Sequence, residues 1–127
     1  MIARKILVVD DERIVAEDIK ECLRGMGCEV CGTAKSGAEA IEKAEANQPD
    51  LVLMDIGMPE MDGIEFAGLA RQLHPNLPIV VVSGRFDQSI LEKLDELSIH
   101  QRLQKPFTAR QLKEAVQLVL RRSENLT

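Results

Sequence analysis

Three short runs of unbroken apolar residues, at positions 6–9, 51–54 and 79–82, each end abruptly in a polar residue. Runs of this length without a helical period suit strands covered on both faces, as in a parallel sheet. After Met54 come Asp55, Ile56, Gly57, Met58 and Pro59. Proline has no N–H to give to a ladder, so this strand is expected to stop near Met58, with Asp55 at or near its carboxyl end. In open α/β sheets that edge is where ligands bind. A carboxylate there needs partners, because burying it unpaired is costly.

The rest of the chain alternates strand and helix five times, which implies a doubly wound five-stranded parallel sheet with helices on both faces. Residues 5–10 read as a strand that runs into Asp10, Asp11 and Glu12. Val15, Ile19, Cys22, Leu23 and Met26 recur at helical spacing, with Gly25 and Gly27 as candidate stops. Residues 29–34 read as a weaker strand. Ser36 and Glu39 fit a capping box for a short helix through Ile41 and Ala44, and residues 47–50 read as a turn. Past Pro59, Asp62 and Gly63 lead into a helix with Phe66, Ala67, Ala70 and Leu73 on one face. Residues 79–83 are the most strand-like in the chain. Ile90, Leu94 and Leu97 mark a fourth helix, and residues 102–105 a short strand before Pro106. Thr108 and Gln111 form a second capping box, and Leu112, Ala115, Val116, Val119 and Leu120 give the last helix its inner face. Residues 1–122 read as one domain, with 123–127 as a frayed end.

Composition narrows the function. Only three Phe and no Trp or Tyr are present, so the core is aliphatic and platforms for base stacking are nearly absent. A net charge of -5 argues against nucleic acid as a direct partner. Three cysteines, an odd count with no secretory signal before them, suit reduced thiols and a cytoplasmic setting. No stretch approaches membrane-spanning length. Cys28 and Cys31 resemble a redox or zinc pair. In a strand, however, positions three apart face opposite ways, and no second pair completes a zinc site. His74 and His100 are expected at the surface.

The strand ends bring Asp10, Asp11, Asp55, Ser83 and Lys105 to one edge. Crowded carboxylates raise one another's pKa unless a cation neutralises them, and magnesium suits an all-oxygen site. A carboxylate nucleophile, a metal, a lysine and a hydroxyl donor together suit phosphoryl transfer through an aspartyl phosphate.

These residues, with Met54-Asp55, Met58-Pro59, Met61-Asp62-Gly63 and Lys105-Pro106-Phe107 in order, resemble the receiver domain of response regulators. The resemblance covers nearly the whole chain. It implies a flavodoxin-like fold with strand order 2-1-3-4-5 and a phosphoacceptor role for Asp55. It also implies a magnesium site made by Asp11, Asp55 and the main-chain carbonyl of Gly57, with Asp10 acting through water. Ser83 and Lys105 would bind phosphoryl oxygens, and Lys105-Pro106 would be a cis peptide that aims the lysine. The implied partners are a sensor histidine kinase or phosphotransfer protein, and an output domain or target protein. A homodimer through the last two helices and last strand is a further expectation, as is either a stand-alone receiver or a chain cut before its output domain.

Blander readings exist for each part. Asp10 and Asp11 could cap a helix, Ser83 could be a turn residue, and Lys105 a solvated charge. A phosphatase of the haloacid-dehalogenase type would need a second acid two residues after Asp55, where Gly57 stands. A pseudo-receiver that binds without switching is opposed by the complete acidic set. Three positions depart from the receiver pattern. Arg102 stands where an aromatic is usual, Gly84 follows Ser83 where alanine is usual, and the segment 98–101 lacks a glycine often found there. Arg102 is expected to stay outward, near Glu92, Asp95 or Glu96, which leaves the switch to residues 84–89. Arg85, two residues after Ser83, and Gly57 would flank the route of water to the phosphoryl group.

Overall fold

The computed structural model describes residues 3–57 and 63–125. Features expected at Met58, Pro59, Met61 and Asp62 lie outside the described residues. The strands are β1 (Lys5–Val9), β2 (Glu29–Ala34), β3 (Leu51–Asp55), β4 (Ile79–Ser83) and β5 (Arg102–Gln104). The helices are α1 (Arg13–Gly25), α2 (Gly37–Asn47), α3 (Gly63–Leu73), α4 (Gln88–Glu96) and α5 (Ala109–Asn125). All strand pairs are parallel, in the order β2-β1-β3-β4-β5. The direction of winding reverses between β1 and β3, which opens a crevice at their carboxyl ends.

Alternation along each strand divides the core in two. Leu7, Val9, Val52, Met54, Ile79 and Val81 pack on the face covered by α2, α3 and α4. Ile6, Val8, Leu51, Leu53, Val80, Val82 and Leu103 pack on the face covered by α1 and α5. β3 and β4 are buried at every position, which is why they read as continuous apolar runs. Cys31 packs on the first face and Cys28 on the second, so the two thiols diverge.

The termini of the helices follow their sequence signals. At α1 the chain leaves through Gly27, whose φ of +85° lies in the left-handed region that glycine tolerates. At α5 the capping box is reciprocal. Thr108 Oγ1 accepts the Gln111 N–H at 3.1 Å, and Gln111 Oε1 accepts the Thr108 N–H at 2.9 Å. At α2 it is only half made. Ser36 Oγ accepts from Glu39, but the Glu39 carboxylate reaches past Ser36 to the Lys35 N–H and to Lys43.

Several expectations are corrected. β3 ends at Asp55, three residues short of Met58, because the Gly57 N–H folds back onto Asp55 Oδ1 at 2.7 Å. Leu73 is 47% exposed rather than fully inward, at the last residue of α3. α5 continues to Asn125, through much of the stretch expected to fray. His74, expected at the surface, is half-buried, with Nε2 enclosed and without a hydrogen-bond partner among the described residues. No helix among the described residues is long and apolar enough to cross a membrane.

Candidate functional site

Register delivers the site. Val9 pairs with Met54, Asp55 with Val82, and Ser83 with Gln104. The residues at or just past those ends, Asp10, Asp55, Ser83 and Lys105, therefore share one edge. Asp10, Asp55 and Ser83 are the buried polar residues among those described.

Lys105 Nζ lies 2.8 Å from Asp55 Oδ2, 3.4 Å from Asp10 Oδ2 and 3.6 Å from Glu12 Oε1. The other oxygen of each buried acid is held by the backbone: Asp10 Oδ1 accepts the Glu12 N–H at 2.9 Å, and Asp55 Oδ1 accepts the Gly57 N–H. Asp10 thus does more than open a helix, and Lys105 is no solvated surface charge. The Lys105–Pro106 bond is cis, and the Lys105 N–H donates to the Ser83 carbonyl at 2.8 Å, which fixes where the lysine departs from β5.

Electrostatics follow from this packing. Burial pushes the Asp10 carboxyl above the ordinary aspartate value and the nearby Asp55 charge adds to the rise, while the Glu12 N–H and Lys105 oppose it. Burial also works against the Lys105 ammonium, but the hydrogen bond and charge of Asp55, with Asp10 behind it, leave its pKa raised. The lysine is therefore a fixed positive charge at any physiological pH.

Asp10, Asp11, Glu12 and Asp55 each offer a carboxylate oxygen, all within 4.8 Å of one another. Four hard oxygen donors beside one lysine suit a hard divalent cation rather than a thiolate- or imidazole-seeking metal. Asp11 is exposed, unlike Asp10 and Asp55. At Gly57 an added Cβ would stand 3.2 Å from Asp55 Oδ1, so a larger residue would press on the acid.

The other expected site residues make contacts of their own. The Ser83 hydroxyl is tied to the backbone of Arg85, donating to its carbonyl at 2.8 Å and accepting its N–H at 3.1 Å. Gly84 and Arg85 are exposed; a Cβ added at Gly84 would meet nothing within 4 Å, and its φ is not left-handed. Arg102 differs from expectation. Its guanidinium pairs with Asp95, one of the three acids expected near it, but its side chain is only 24% exposed and also donates to the Ile99 carbonyl at 3.2 Å. These two acceptors let the group lie against the protein instead of standing in water, although Nε remains without a partner among the described residues. His100 shares the same Asp95 carboxylate, at 3.6 Å.

Sequence reasoning assigns Glu12 no role, although a signal is present: it is the third of three consecutive acids after a buried strand.

Comparisons with known proteins agree with this geometry. Residues 6–117 match the model of the response regulator receiver domain. The chain is 35% identical over 126 residues to the transcriptional regulatory protein PdtaR of Mycobacterium tuberculosis, covering 99% of this chain and 61% of that one. It is 37% identical over 118 residues to the chemotaxis protein CheY of Bacillus subtilis, covering 93% and 98%. Against PhoP, the alkaline phosphatase synthesis regulator of B. subtilis, it is 38% identical over 122 residues but spans half of that protein's length. Among solved structures, a CheY-like receiver domain protein from Methanospirillum hungatei superposes with a TM-score of 0.93 at 27% identity, covering 99% of this chain and 100% of that one.

Proposed function

Since the chain belongs to the response regulator receiver domain family of two-component systems, we propose that Asp55 accepts a phosphoryl group from a histidine kinase or phosphotransfer protein. The observation that carries this reading is the Asp55–Lys105 contact at 2.8 Å inside a crevice lined by further carboxylates. An Asp55 oxygen attacks phosphorus, the P–N bond of the donor phosphohistidine breaks, and the imidazole leaves. Lys105 is already charged and in place to follow the transferring oxygens. Asp10, Asp11 and Asp55, with the Gly57 carbonyl, would hold magnesium, which is typical of the family. When bound, that ion neutralises charge on the transferring group and on the crowded acids.

Ser83 would supply a hydroxyl to the phosphoryl group, and to do so it must give up its hydrogen bonds to Arg85. The release would carry the signal into residues 84–89. The receiver turns over no separate substrate: its chemistry is transfer to, and hydrolysis from, its own aspartate. PdtaR and PhoP extend well beyond the matched region, which supports an output segment or target protein as the recipient of the signal. A homodimer through α4, β5 and α5 belongs to the same reading, with sedimentation as its measure. Residues 1–122 form the receiver in this account, in a cytoplasmic setting.

Intact mass after treatment with acetyl phosphate and magnesium tests the acceptor. One phosphoryl adduct is expected, lost in alkaline hydroxylamine and absent from Asp55→Asn. Equal labelling of that variant would show that the acceptor lies elsewhere.

A further inference from the structure

Glu12 stands at the N-cap of α1, where a side-chain acceptor ordinarily takes an N–H of the first turn. It makes no such bond. Its backbone N–H is given to Asp10, and its carboxylate crosses the crevice to Lys105, 3.6 Å away. The lysine therefore has three acids about it, of which Asp55 and Asp10 are buried while the Glu12 side chain is 63% exposed. Glu12 is the acid at the mouth, between the ammonium and water.

A phosphoryl group arriving on Asp55 must draw Lys105 away from these carboxylates. Asp55 becomes bonded to phosphorus, and Asp10 stays anchored by the backbone. Glu12 is bonded to neither, so its attraction for the lysine is pure competition. Its charge also faces an anionic donor on the way in. We propose that Glu12 is a positioning residue for phosphorylation: it holds Lys105 toward the mouth in the unmodified protein and must release it to the phosphoryl oxygens. By doing so it raises the donor concentration needed for phosphorylation. The inference rests on Asp55 being the acceptor.

Two substitutions separate contact from charge. Glu12→Gln removes the charge, and Glu12→Asp keeps it on a stem too short to reach the lysine. Phosphorylation rate would be followed against acetyl phosphate concentration at saturating magnesium. Magnesium affinity and affinity for beryllofluoride, a non-reacting phosphoryl mimic, would be measured by calorimetry. Both variants are expected to lower the half-saturating acetyl phosphate concentration about threefold, the scale of one exposed ion pair. Beryllofluoride, added at saturating magnesium, should bind tighter by a similar factor, with the limiting rate unchanged. The inference is overturned if Glu12→Gln tracks the parent, if Glu12→Asp does so, or if a change in magnesium affinity accounts for the shift. A parent protein that takes no phosphoryl group would overturn the acceptor reading, and this inference with it.

Discussion

Replacing Lys105 with methionine removes the positive charge beside two buried carboxylates and keeps most of the stem. The substitution breaks the ion pairs to Asp55 at 2.8 Å and Asp10 at 3.4 Å, along with the weaker one to Glu12. The nearest pair alone is worth on the order of 5 kcal/mol at the effective dielectric that suits protein sites, before desolvation is subtracted. An upper limit comes from titration. A carboxylate with an ordinary pKa can be protonated at pH 7 for about 4 kcal/mol, so no single acid can cost more than that unpaired. Breaking a buried pair in other proteins costs about 3–5 kcal/mol. Partial exposure of the lysine pulls the expectation down to about 2–3 kcal/mol at pH 7. The pH dependence has a definite sign. Lys105 has a raised pKa, so in the parent it stays charged throughout acid and neutral solution. In the variant Asp10 loses the cation that opposes the rise burial gives it, so its carboxyl moves further up. That part of the deficit is then full where the variant's Asp10 is ionised and shrinks as falling pH protonates it. Urea unfolding followed by circular dichroism at pH 7 and pH 4.5, with and without magnesium, measures all of this. The expected result is a deficit at pH 7 that shrinks in acid and is partly restored by magnesium. A variant as stable as the parent at pH 7, or a deficit independent of pH, would refute the reasoning.

Other perturbations probe the remaining parts. Asp11→Ala should leave the metal-free fold as stable as the parent or more so, by relieving like-charge crowding, while abolishing the rise in melting temperature that magnesium gives. An unchanged magnesium shift would count against the metal site. If Arg85 pairs with the phosphoryl oxygens through its fork of donors, Arg85→Ala should change the dephosphorylation rate at least several-fold, a barrier change of roughly 1 kcal/mol. Superimposable decay curves would rule that out. Arg102→Ala should cost under about 1 kcal/mol, since its partner Asp95 is exposed. On adding beryllofluoride to the parent, large amide shift changes should map to residues 83–90, and smaller ones to the surroundings of Arg102. Loss of the loop changes in Arg102→Ala would transfer the switch to that arginine.

The sheet was legible because its strands are buried on both faces and so carry unbroken apolar runs. The site was legible because each of those runs stops at a residue that cannot be buried alone. What could not be read depends on relations along no single element. Leu73 follows its helical period, yet as the last residue of α3 it is left 47% exposed. Arg102 carries the penalty for burying a guanidinium, and that argument holds only where no acceptor waits. Asp95 was among the acids expected beside it, but the Ile99 carbonyl, contributed by the loop before β5, was not. The Ser83 hydroxyl was assigned to the crevice, but its nearest acceptor and donor are two residues along its own backbone. Local bonds of this kind follow from turn geometry more than from residue type.

The two buried acids and their lysine come from opposite ends of the chain, Asp10 and Asp55 from its first half and Lys105 from its last quarter. On the ribosome the negative charges emerge first and the neutralising one follows 50 residues after Asp55. Until then, closing β1 against β3 brings two carboxylates together in a drying cleft with no cation between them. The amino-terminal half alone thus lacks the ammonium that pairs with both acids in the finished fold. The charge balance of the sheet's carboxyl edge therefore depends on β5, the last strand made, being in place with Lys105 beside the two acids.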